Sequence, residues 1–305
     1  MSTQTATATG AFSRRAAYLL LAAVVLIWGA NWPVMKVGLA YVEPFTFTAL
    51  RMLLGAAALF GVLAATGRLA VPTRRDLPVL LSVGLFQMAG FLACVMFGLQ
   101  TVDAGRSAIL AYTTPLWVTP VAVAVLGERI GAWKGIGLGL GLAGVAAMFN
   151  PLGFAWDDPA VVRGNGLLML AAFCWAVAIL HVRAHSWDSS PLQLAPWQMC
   201  VAAPILTALA LTFEGTGSIT WAPEFLAVIA YNAPLATAFC FWGAVTVTRA
   251  LPAISTSLGF LGVPVLGMLL AAVTLGETLT LTRVSGLVLI VAGMALVNLA
   301  DLRSD

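Results

Sequence analysis

Long apolar runs that are almost free of charged side chains constrain this chain more than any other feature of its sequence. Hydrophobic residues make up 61% of the chain and charged residues 9%, whereas soluble domains carry about 25% charged residues. A lipid-buried chain must satisfy its backbone hydrogen bonds internally, so only helices or closed barrels span a membrane. The runs are much longer than the roughly 10 residues of a barrel strand. The sequence therefore predicts an all-α integral membrane protein.

The apolar runs predict ten transmembrane helices, when about 20 apolar residues are counted as one crossing. Their predicted limits are 16–38, 44–66, 77–98, 104–126, 132–149, 164–184, 193–213, 222–247, 253–275 and 282–300. Loops rich in Lys and Arg stay on the cytoplasmic side. A cytoplasmic N terminus places most of these residues on that side: Arg14, Arg15, Arg68, Arg74, Arg75, Arg129, Lys134, Arg183, Arg249 and Arg303. We therefore expect a multi-pass protein of the cytoplasmic (inner) membrane with both termini cytoplasmic.

The second half of the chain repeats the first. Adding 149 to residue numbers in the fourth and fifth spans, or 147 near the start of each half, aligns Pro115 with Pro264, Leu126-Gly127-Glu128 with Leu275-Gly276-Glu277, and Trp28 with Trp175. Each half then holds five spans, and this odd number makes the repeat inverted, which is typical of transporters with alternating access. The predicted organisation is a cytoplasmic tail (1–15), a first five-helix repeat (16–150), an external linker (151–163), a second five-helix repeat (164–301) and a cytoplasmic tail (302–305).

Three kinds of segment carry a family resemblance. They are Trp28-Gly29-Ala30-Asn31-Trp32-Pro33 followed by Lys36, Ala49-Leu50-Arg51, and the two matched Pro-to-Leu-Gly-Glu segments. In these residues the chain resembles the EamA type of the drug/metabolite transporter superfamily, along nearly its whole length. The resemblance implies two inverted five-helix halves around a central cavity lined by spans 1, 3, 4, 6, 8 and 9. It also implies the export of amino acids and comparable small metabolites.

Polar and deeply placed aromatic side chains on these helices are the candidate substrate-binding residues. Polar groups inside a span are costly and usually face a cavity or a partner, and a small zwitterion needs a few of them within an apolar pocket. The candidates are Trp28, Asn31, Gln87, Tyr112, Thr113, Trp175, Tyr231, Asn232 and Trp242. The polar ones are as able to bond a neighbouring helix, and the tryptophans to pack in the core. Pro115 and Pro264 lie inside spans and are candidate hinges, because a missing amide weakens a helix.

Three charged residues near or within spans have alternative interpretations. Arg51 either caps a helix end or broken-helix carbonyls, or contacts substrate, and the structural role is favoured. Glu128 and Glu277 end matched spans, where a carboxylate can cap a helix, pair with a base or accept a proton, and capping is favoured. No Asp or Glu is expected at mid-membrane depth, so proton antiport, exchange and facilitated diffusion stay open.

The sequence predicts no catalytic residue, cofactor or bound metal. His181 and His185 are four residues apart but lack a third ligand nearby. The glycine-rich segment from Gly135 to Gly144 follows no strand, so close helix packing explains it better than phosphate binding. The net charge of +3 comes from scattered residues, which does not predict a surface for nucleic acid.

These features together predict a secondary transporter rather than an enzyme. We expect it to export small metabolites, amino acids foremost and aromatic or apolar ones among them, by alternating access around a central cavity. Its expected partners are the small-molecule substrate and the lipid bilayer, and the oligomeric state stays open, with a monomer as one plausible state. The alternatives are a carrier for nucleosides, sugars, drugs or lipids, and a membrane-embedded enzyme, which would need a concentrated catalytic set.

Overall fold

Helices account for the regular structure of the chain. The computed structural model describes residues 13–102, 104–149, 157–275 and 280–303, and no strand occurs in these ranges. The helices are α1 (Arg14–Gly38), α2 (Pro44–Ala65), α3 (Leu77–Leu99), α4a (Ala104–Ala111), α4b (Thr114–Leu126), α5 (Ala132–Phe149), α6 (Pro159–Ala184), α7 (Pro191–Phe213), α8 (Pro223–Ala250), α9a (Ala253–Gly259), α9b (Gly262–Leu275) and α10 (Leu281–Arg303). Within the described ranges, eight helices are long and apolar enough to cross a membrane, when α4a–α4b and α9a–α9b count as one each. Shorter apolar stretches in α5 and α10 complete the predicted ten, which confirms the fold class.

Local sequence signals set the ends of these helices. Proline occupies the first turn of α2, α6, α7 and α8, where its missing N–H has no intrahelical partner to lose. The matched helices α2 and α7 end alike, because Gly67 and Gly215 follow them with φ of 64° and 70°, a conformation that favours glycine. α6 begins at Pro159, inside the range predicted as the external linker. The helical part of the second half is therefore longer than predicted.

Matched helices of the two halves pack against each other in antiparallel fashion. α5 lies against α10, and an ideal Cβ on Gly137 would lie 2.7 Å from the Gly293 carbonyl oxygen, while one on Gly144 would lie 2.6 Å from that of Gly286. Residue numbers rise along one helix as they fall along the other. The prediction that the glycine-rich segment serves close helix packing is confirmed.

The α2–α7 pair shows the same inversion. The rings of Phe45 and Phe213 are 6.1 Å apart at one end of the pair, and those of Phe60 and Trp197 are 5.1 Å apart at the other. The remaining contacts also come in matched sets, since α1 packs on α9b as α6 packs on α4b, and α1 packs on α8 as α6 packs on α3. The two halves are therefore inverted copies that interlock around a shared centre.

The predicted fourth and ninth spans are not continuous helices. The span predicted over 104–126 is interrupted at Tyr112 and Thr113, and the span predicted over 253–275 is interrupted at Phe260 and Leu261. These interruptions stand at matched places in the two halves. Discontinuous helices are typical of transporter binding sites, where free backbone groups face the substrate or an ion.

The third and eighth spans each contain a segment of π-helix. It covers Val83–Gly90 in α3 and Asn232–Phe239 in α8, and adding 149 to the first range gives the second. Such widened turns are rare and occur frequently at functional sites. Each segment packs against helices of the opposite half.

Candidate substrate-binding site

Five buried aromatic side chains form a cluster at the centre of the bundle. This aromatic cluster comprises Trp28 of α1, Phe91 of α3, Trp175 of α6, Phe241 of α8 and Phe260 of the α9 interruption. The rings of the matched residues Trp28 and Trp175 lie 5.3 Å apart, edge to face. Phe260 contacts both tryptophans, at 5.8 and 5.9 Å. The pseudo-twofold axis that relates the halves therefore passes through an apolar, aromatic centre.

Hydrogen bonds fix one side of this cluster. The Trp28 indole N–H donates to the Ala236 carbonyl oxygen at 2.7 Å, inside the π-helical segment of α8. In return, the Tyr231 hydroxyl donates to the Ile27 carbonyl oxygen at 2.7 Å. Each helix thus satisfies a polar group of the other within lipid, where an unpaired group is expensive. These two hydrogen bonds between α1 and α8 fix the position of the Trp28 ring.

Two of the predicted residues meet at this centre, and three predicted amide residues are buried in the helices around it. Trp28 and Trp175 are in contact, and Asn31 lies one turn from Trp28 on the same helix. Asn31 and Asn232 are buried, and both carry amide atoms without a hydrogen-bond partner among the described residues. Gln87 is buried in the π-helical segment of α3. Unpaired buried amides mark places where a polar ligand or water would be stabilised.

Other predicted residues have local partners instead. The Thr113 hydroxyl donates to the Leu110 carbonyl oxygen at 2.7 Å, and the Tyr231 hydroxyl is used by α1. Trp242 packs edge to face on Phe239 at 5.4 Å, and among the described residues it forms no ring contact with the aromatic cluster. Tyr112 is partly buried at the α4 interruption. Phe91, Phe241 and Phe260 were not among the predicted residues, because nothing in the sequence distinguishes them from other phenylalanines.

The two candidate hinge prolines do not lie inside continuous helices. Pro115 stands in the first turn of α4b and Pro264 in the first turn of α9b. Both interruptions precede these prolines, and each proline leaves the carbonyl four residues earlier without its donor. The chain is therefore already broken at both places. Pro33, by contrast, lies inside the unbroken helix α1.

Arg51 is a buried cation near the aromatic cluster. It lies on α2 with 3% of its surface exposed. Its Nε donates to the Thr237 hydroxyl at 2.8 Å, and its Nη1 lies 3.2 Å from the Met35 sulfur. Its guanidinium carbon is 6.0 Å from the centre of the Phe47 ring. Neither hydrogen-bond partner is a backbone carbonyl, so these contacts do not support the predicted role of Arg51 as a cap on helix carbonyls.

A buried carboxylate ties the two halves together at the face that carries the α2–α3 and α6–α7 loops. Asp76 accepts hydrogen bonds from the Thr73 N–H and hydroxyl, the Asp188 N–H, and the Ser189 N–H and hydroxyl, at 2.7–3.0 Å. We call this group the Asp76 latch. Burial by itself raises the pKa of Asp76, but the hydrogen bonds from Ser189 and Thr73 outweigh it and lower the pKa to about 2. The latch is thus fully charged near neutral pH.

Further contacts reinforce the same face. Arg249, at the end of α8, donates to the carbonyl oxygens of Ser189 and Trp187 at 3.1 and 3.2 Å and stacks on the Trp187 ring at 4.2 Å. His181 Nδ1 lies 2.6 Å from the Ser82 hydroxyl, and His185 Nε2 lies 3.2 Å from a loop carbonyl. Among the described residues, no group of three or more His, Cys, Asp or Glu side chains could hold a metal ion.

Acidic residues at the loops cap the opposite half. Glu128 accepts from the N–H groups of Ala253 and Ile254 at 2.6 and 3.2 Å, which caps α9a. Glu214 accepts from the N–H groups of Phe45 and Thr46 at 2.6 and 2.8 Å, which caps α2. The capping role predicted for Glu128 is confirmed, whereas Glu277 lies outside the described residues.

Comparison with protein families decides the identity of this fold. A model described as the EamA-like transporter family matches the chain twice, over residues 15–150 and 162–299. The chain belongs to the EamA-like transporter family. The separate match to each half agrees with the internal repeat, while the boundaries predicted for the tails and the linker stay predictions.

Individual relatives of this EamA-like transporter cover nearly its whole length. An uncharacterized transporter, YoaV, from Bacillus subtilis is 28% identical over 89% of this chain and 92% of its own. A probable amino-acid metabolite efflux pump from Salmonella typhimurium is 30% identical over 92% of this chain and 94% of its own. A solved crystal structure of another protein has a TM-score of 0.75 at 25% identity, over 96% of this chain and 100% of that one. These likenesses support transport as the general function.

Proposed function

We propose that this protein is a secondary carrier that exports small metabolites, amino acids foremost, across the cytoplasmic (inner) membrane. The observation that carries the proposal is the contact of Trp28 with Trp175 at the axis between inverted halves. Substrate sites of such transporters lie near the membrane midplane at the repeat interface, beside discontinuous helices. Phe260, in the α9 interruption, contacts both tryptophans and joins these two features.

The chemistry of the centre supports amino acids with apolar or aromatic side chains as substrates. Aromatic rings give large apolar surfaces that pack edge to face against another ring. A mostly apolar pocket with a few polar groups is the usual form of a small-molecule site. The amino-acid metabolites named for two relatives, from Salmonella typhimurium and Escherichia coli, support the same class.

The Asp76 latch supports an alternating-access cycle. It joins a loop of the first half to a loop of the second half, at the face that the Lys and Arg distribution predicts to be cytoplasmic. In an export cycle the substrate enters from this face, so the latch must open for loading and close before release. Pro115 and Pro264, beside the interruptions of α4 and α9, are the proposed flexure points.

Uptake into proteoliposomes tests the proposed function. The purified protein would be given labelled phenylalanine, leucine, glutamate, uridine and glucose, with and without an imposed pH gradient. We expect saturable uptake of phenylalanine and leucine, and the effect of the gradient decides whether protons are coupled. Saturable uptake of uridine or glucose alone would replace the substrate class, and no uptake by folded protein would refute the carrier.

The orientation has its own test. The four natural cysteines would be replaced and a single cysteine introduced at each terminus in turn. Each should react with a membrane-impermeant maleimide only after the membrane is permeabilised. Labelling of either terminus in intact cells would overturn the proposed topology.

A further inference from the structure

The buried charge of Arg51 has no acidic partner among the described residues. The guanidinium contacts the side chains of Thr237, Met35 and Phe47, and none of these side chains is acidic. Glu214, which follows α7 and caps the start of α2, already accepts three hydrogen bonds from Phe45 and Thr46. A cation buried in a membrane protein is otherwise paired with an anion.

The contacts of Arg51 leave part of its hydrogen-bonding capacity unused. A guanidinium carries five N–H donors, and those seen here are one bond from Nε to Thr237 and one from Nη1 to the weakly accepting sulfur of Met35. Nη2 donates to none of the described residues. The planar fork of arginine matches a carboxylate, which can accept two parallel N–H bonds.

The matched position in the other half carries no charge. Adding 147 to residue 51 gives Gln198 on α7, which is also fully buried but neutral. Arg51 lies where α2 contacts the π-helical segment of α8, and Gln198 lies where α7 contacts that of α3. Both side-chain polar atoms of Gln198 are buried without a hydrogen-bond partner among the described residues, so the two equivalent places differ in charge, and the cation belongs to one half only.

Contacts on α8 and α1 link Arg51 to the aromatic cluster, since Arg51 donates to Thr237 and Trp28 donates to the adjacent residue Ala236. On α1, Trp28, Asn31 and Met35 succeed one another at intervals of three and four residues, so they share one face of the helix. Trp28 belongs to the aromatic cluster, and Met35 touches Arg51. Asn31 lies between them, about 6 Å along the helix from Met35, with an unpaired side-chain oxygen.

We propose that Arg51 binds the carboxylate of the transported solute, with Asn31 Oδ1 accepting a hydrogen bond from its ammonium group and the aromatic cluster holding its side chain. This inference rests on the proposed function and deepens it, since it names the substrates as carboxylate-bearing metabolites of the α-amino acid type. Arg51 then distinguishes an amino acid from the same molecule without its negative charge. The single cation, rather than a symmetric pair, fixes one orientation of the substrate.

Competition between an acid and its amide tests this role. Labelled phenylalanine uptake into proteoliposomes would be competed with unlabelled phenylalanine or with phenylalaninamide, which lacks the carboxylate. We expect the amide to compete about 10- to 100-fold more weakly with the wild-type protein, as for loss of a charged hydrogen-bond pair. Arg51→Gln, which installs the residue of the other half, should abolish that preference, and Arg51→Lys should keep part of it. Asn31→Ala should weaken competition by both compounds, because both retain the ammonium group.

Matched controls separate a binding role from a structural one. Gln198→Met alters the equivalent buried position and should leave the acid preference unchanged. Equal competition by acid and amide in the wild-type protein would overturn the proposal, as would a preserved acid preference in Arg51→Gln. If Arg51→Gln does not fold, Arg51→Lys decides, because an unchanged acid affinity there would contradict recognition by the arginine fork.

Failure of this inference is distinguishable from failure of the proposed function. Phenylalanine binding would also be followed by quenching of tryptophan fluorescence in purified protein. Flux of uridine or glucose without flux or binding of phenylalanine would keep the carrier and refute the carboxylate site. Arg51-dependent phenylalanine binding without any flux would keep the carboxylate site and refute the carrier.

Discussion

Removing the charge of the Asp76 latch should open the loop face on which it lies. In Asp76→Asn, one side-chain oxygen is replaced by an amide NH2 group, which donates hydrogen bonds and cannot accept them. If that group replaces Oδ2, the Thr73 N–H loses its acceptor, and if it replaces Oδ1, the N–H groups of Asp188 and Ser189 lose theirs. At least one backbone donor is therefore left unpaired, and the remaining bonds lose their charge assistance.

The size of this effect follows from the hydrogen bonds that are lost. A bond to a charged group contributes about 1.5–3 kcal/mol, so the closed state of the latch loses about 2 kcal/mol. Because 1.36 kcal/mol is a factor of ten, the open population should rise about 30-fold. The sign with pH is set by the pKa of about 2, which is below the ordinary value of about 3.9. The stabilisation by the latch is fully present above about pH 4 and is lost only as the pH falls through 2.

Thiol labelling measures the opening directly. Val79, one turn into α3 from Asp76, is fully buried, so a Val79→Cys substitution in a chain without its four natural cysteines reports exposure beneath the latch. Asp76→Asn should raise the labelling rate about 30-fold, by a ratio that is constant between pH 5 and 8. Asp188→Asn is the matched control, because the exposed Asp188 side chain forms an ion pair with Arg75 at 3.7 Å and one long hydrogen bond, from the Thr73 hydroxyl at 3.4 Å, and exposed contacts of this kind contribute little. Equal labelling of Asp76→Asn and Asp188→Asn would refute the assignment of Asp76 as the latch.

Four further predictions follow from individual contacts. Gly144→Ala should destabilise the protein by about 1–3 kcal/mol, because its Cβ would meet the Gly286 carbonyl oxygen. Gly139→Ala should not, because a Cβ there meets open space. Thermal unfolding would show the difference, and equal melting temperatures of the two variants would contradict it. Glu214→Gln should cost about 1 kcal/mol through the weakened α2 cap, and the exposed Glu224→Gln, which loses only a charge in the first turn of α8, should cost about 0.3 kcal/mol in the same measurement. Trp28→Phe keeps the ring contacts but loses the bond to Ala236, so phenylalanine uptake should fall while the exposed Trp221→Phe leaves it unchanged. Pro115→Ala and Pro264→Ala should each slow turnover, and normal turnover in both would rule out the hinge role.

The sequence predicts the helices and their inversion because both depend on properties that act residue by residue. Long apolar runs allow few structures in lipid other than helices, and matched residues such as Pro115 and Pro264 reveal the duplication directly. The odd number of spans then requires inversion. Packing of α5 on α10 through Gly137 and Gly144 follows from the same reasoning, since small residues allow close approach of helices.

The interruptions and widened turns could not be predicted, because they depend on tertiary contacts. Pro33 and Pro115 both remove a backbone donor, yet α1 continues through the first, whereas the chain breaks one turn before the second. The π-helical segment of α8 contains Pro234, which removes a backbone donor, but that of α3 contains no proline, so no shared residue predicts the two. The segment in α8 also has specific contacts, since Ala236 accepts from Trp28 and Thr237 from Arg51.

The candidate site was predictable in its type of residue but not in its members. The matched tryptophans Trp28 and Trp175 were found because the repeat aligns them, and they do meet. Tyr231 was predicted as a polar group of the site, but its hydroxyl donates to the Ile27 carbonyl oxygen of α1. No local sequence pattern encodes this contact. The lack of an acidic partner for Arg51 likewise became visible only in the structure, because its partners Thr237 and Met35 are distant from it in sequence.

Counterflow in proteoliposomes tests the central claim most directly. Vesicles that contain the purified protein would be loaded with a high concentration of unlabelled phenylalanine and diluted into a trace of labelled phenylalanine. A carrier that exposes one site alternately to each side exchanges the two, so the account predicts transient accumulation of label above its external concentration. The same label entering only to equilibrium, or not at all, in vesicles whose protein is folded would contradict alternating access around the Trp28 and Trp175 centre.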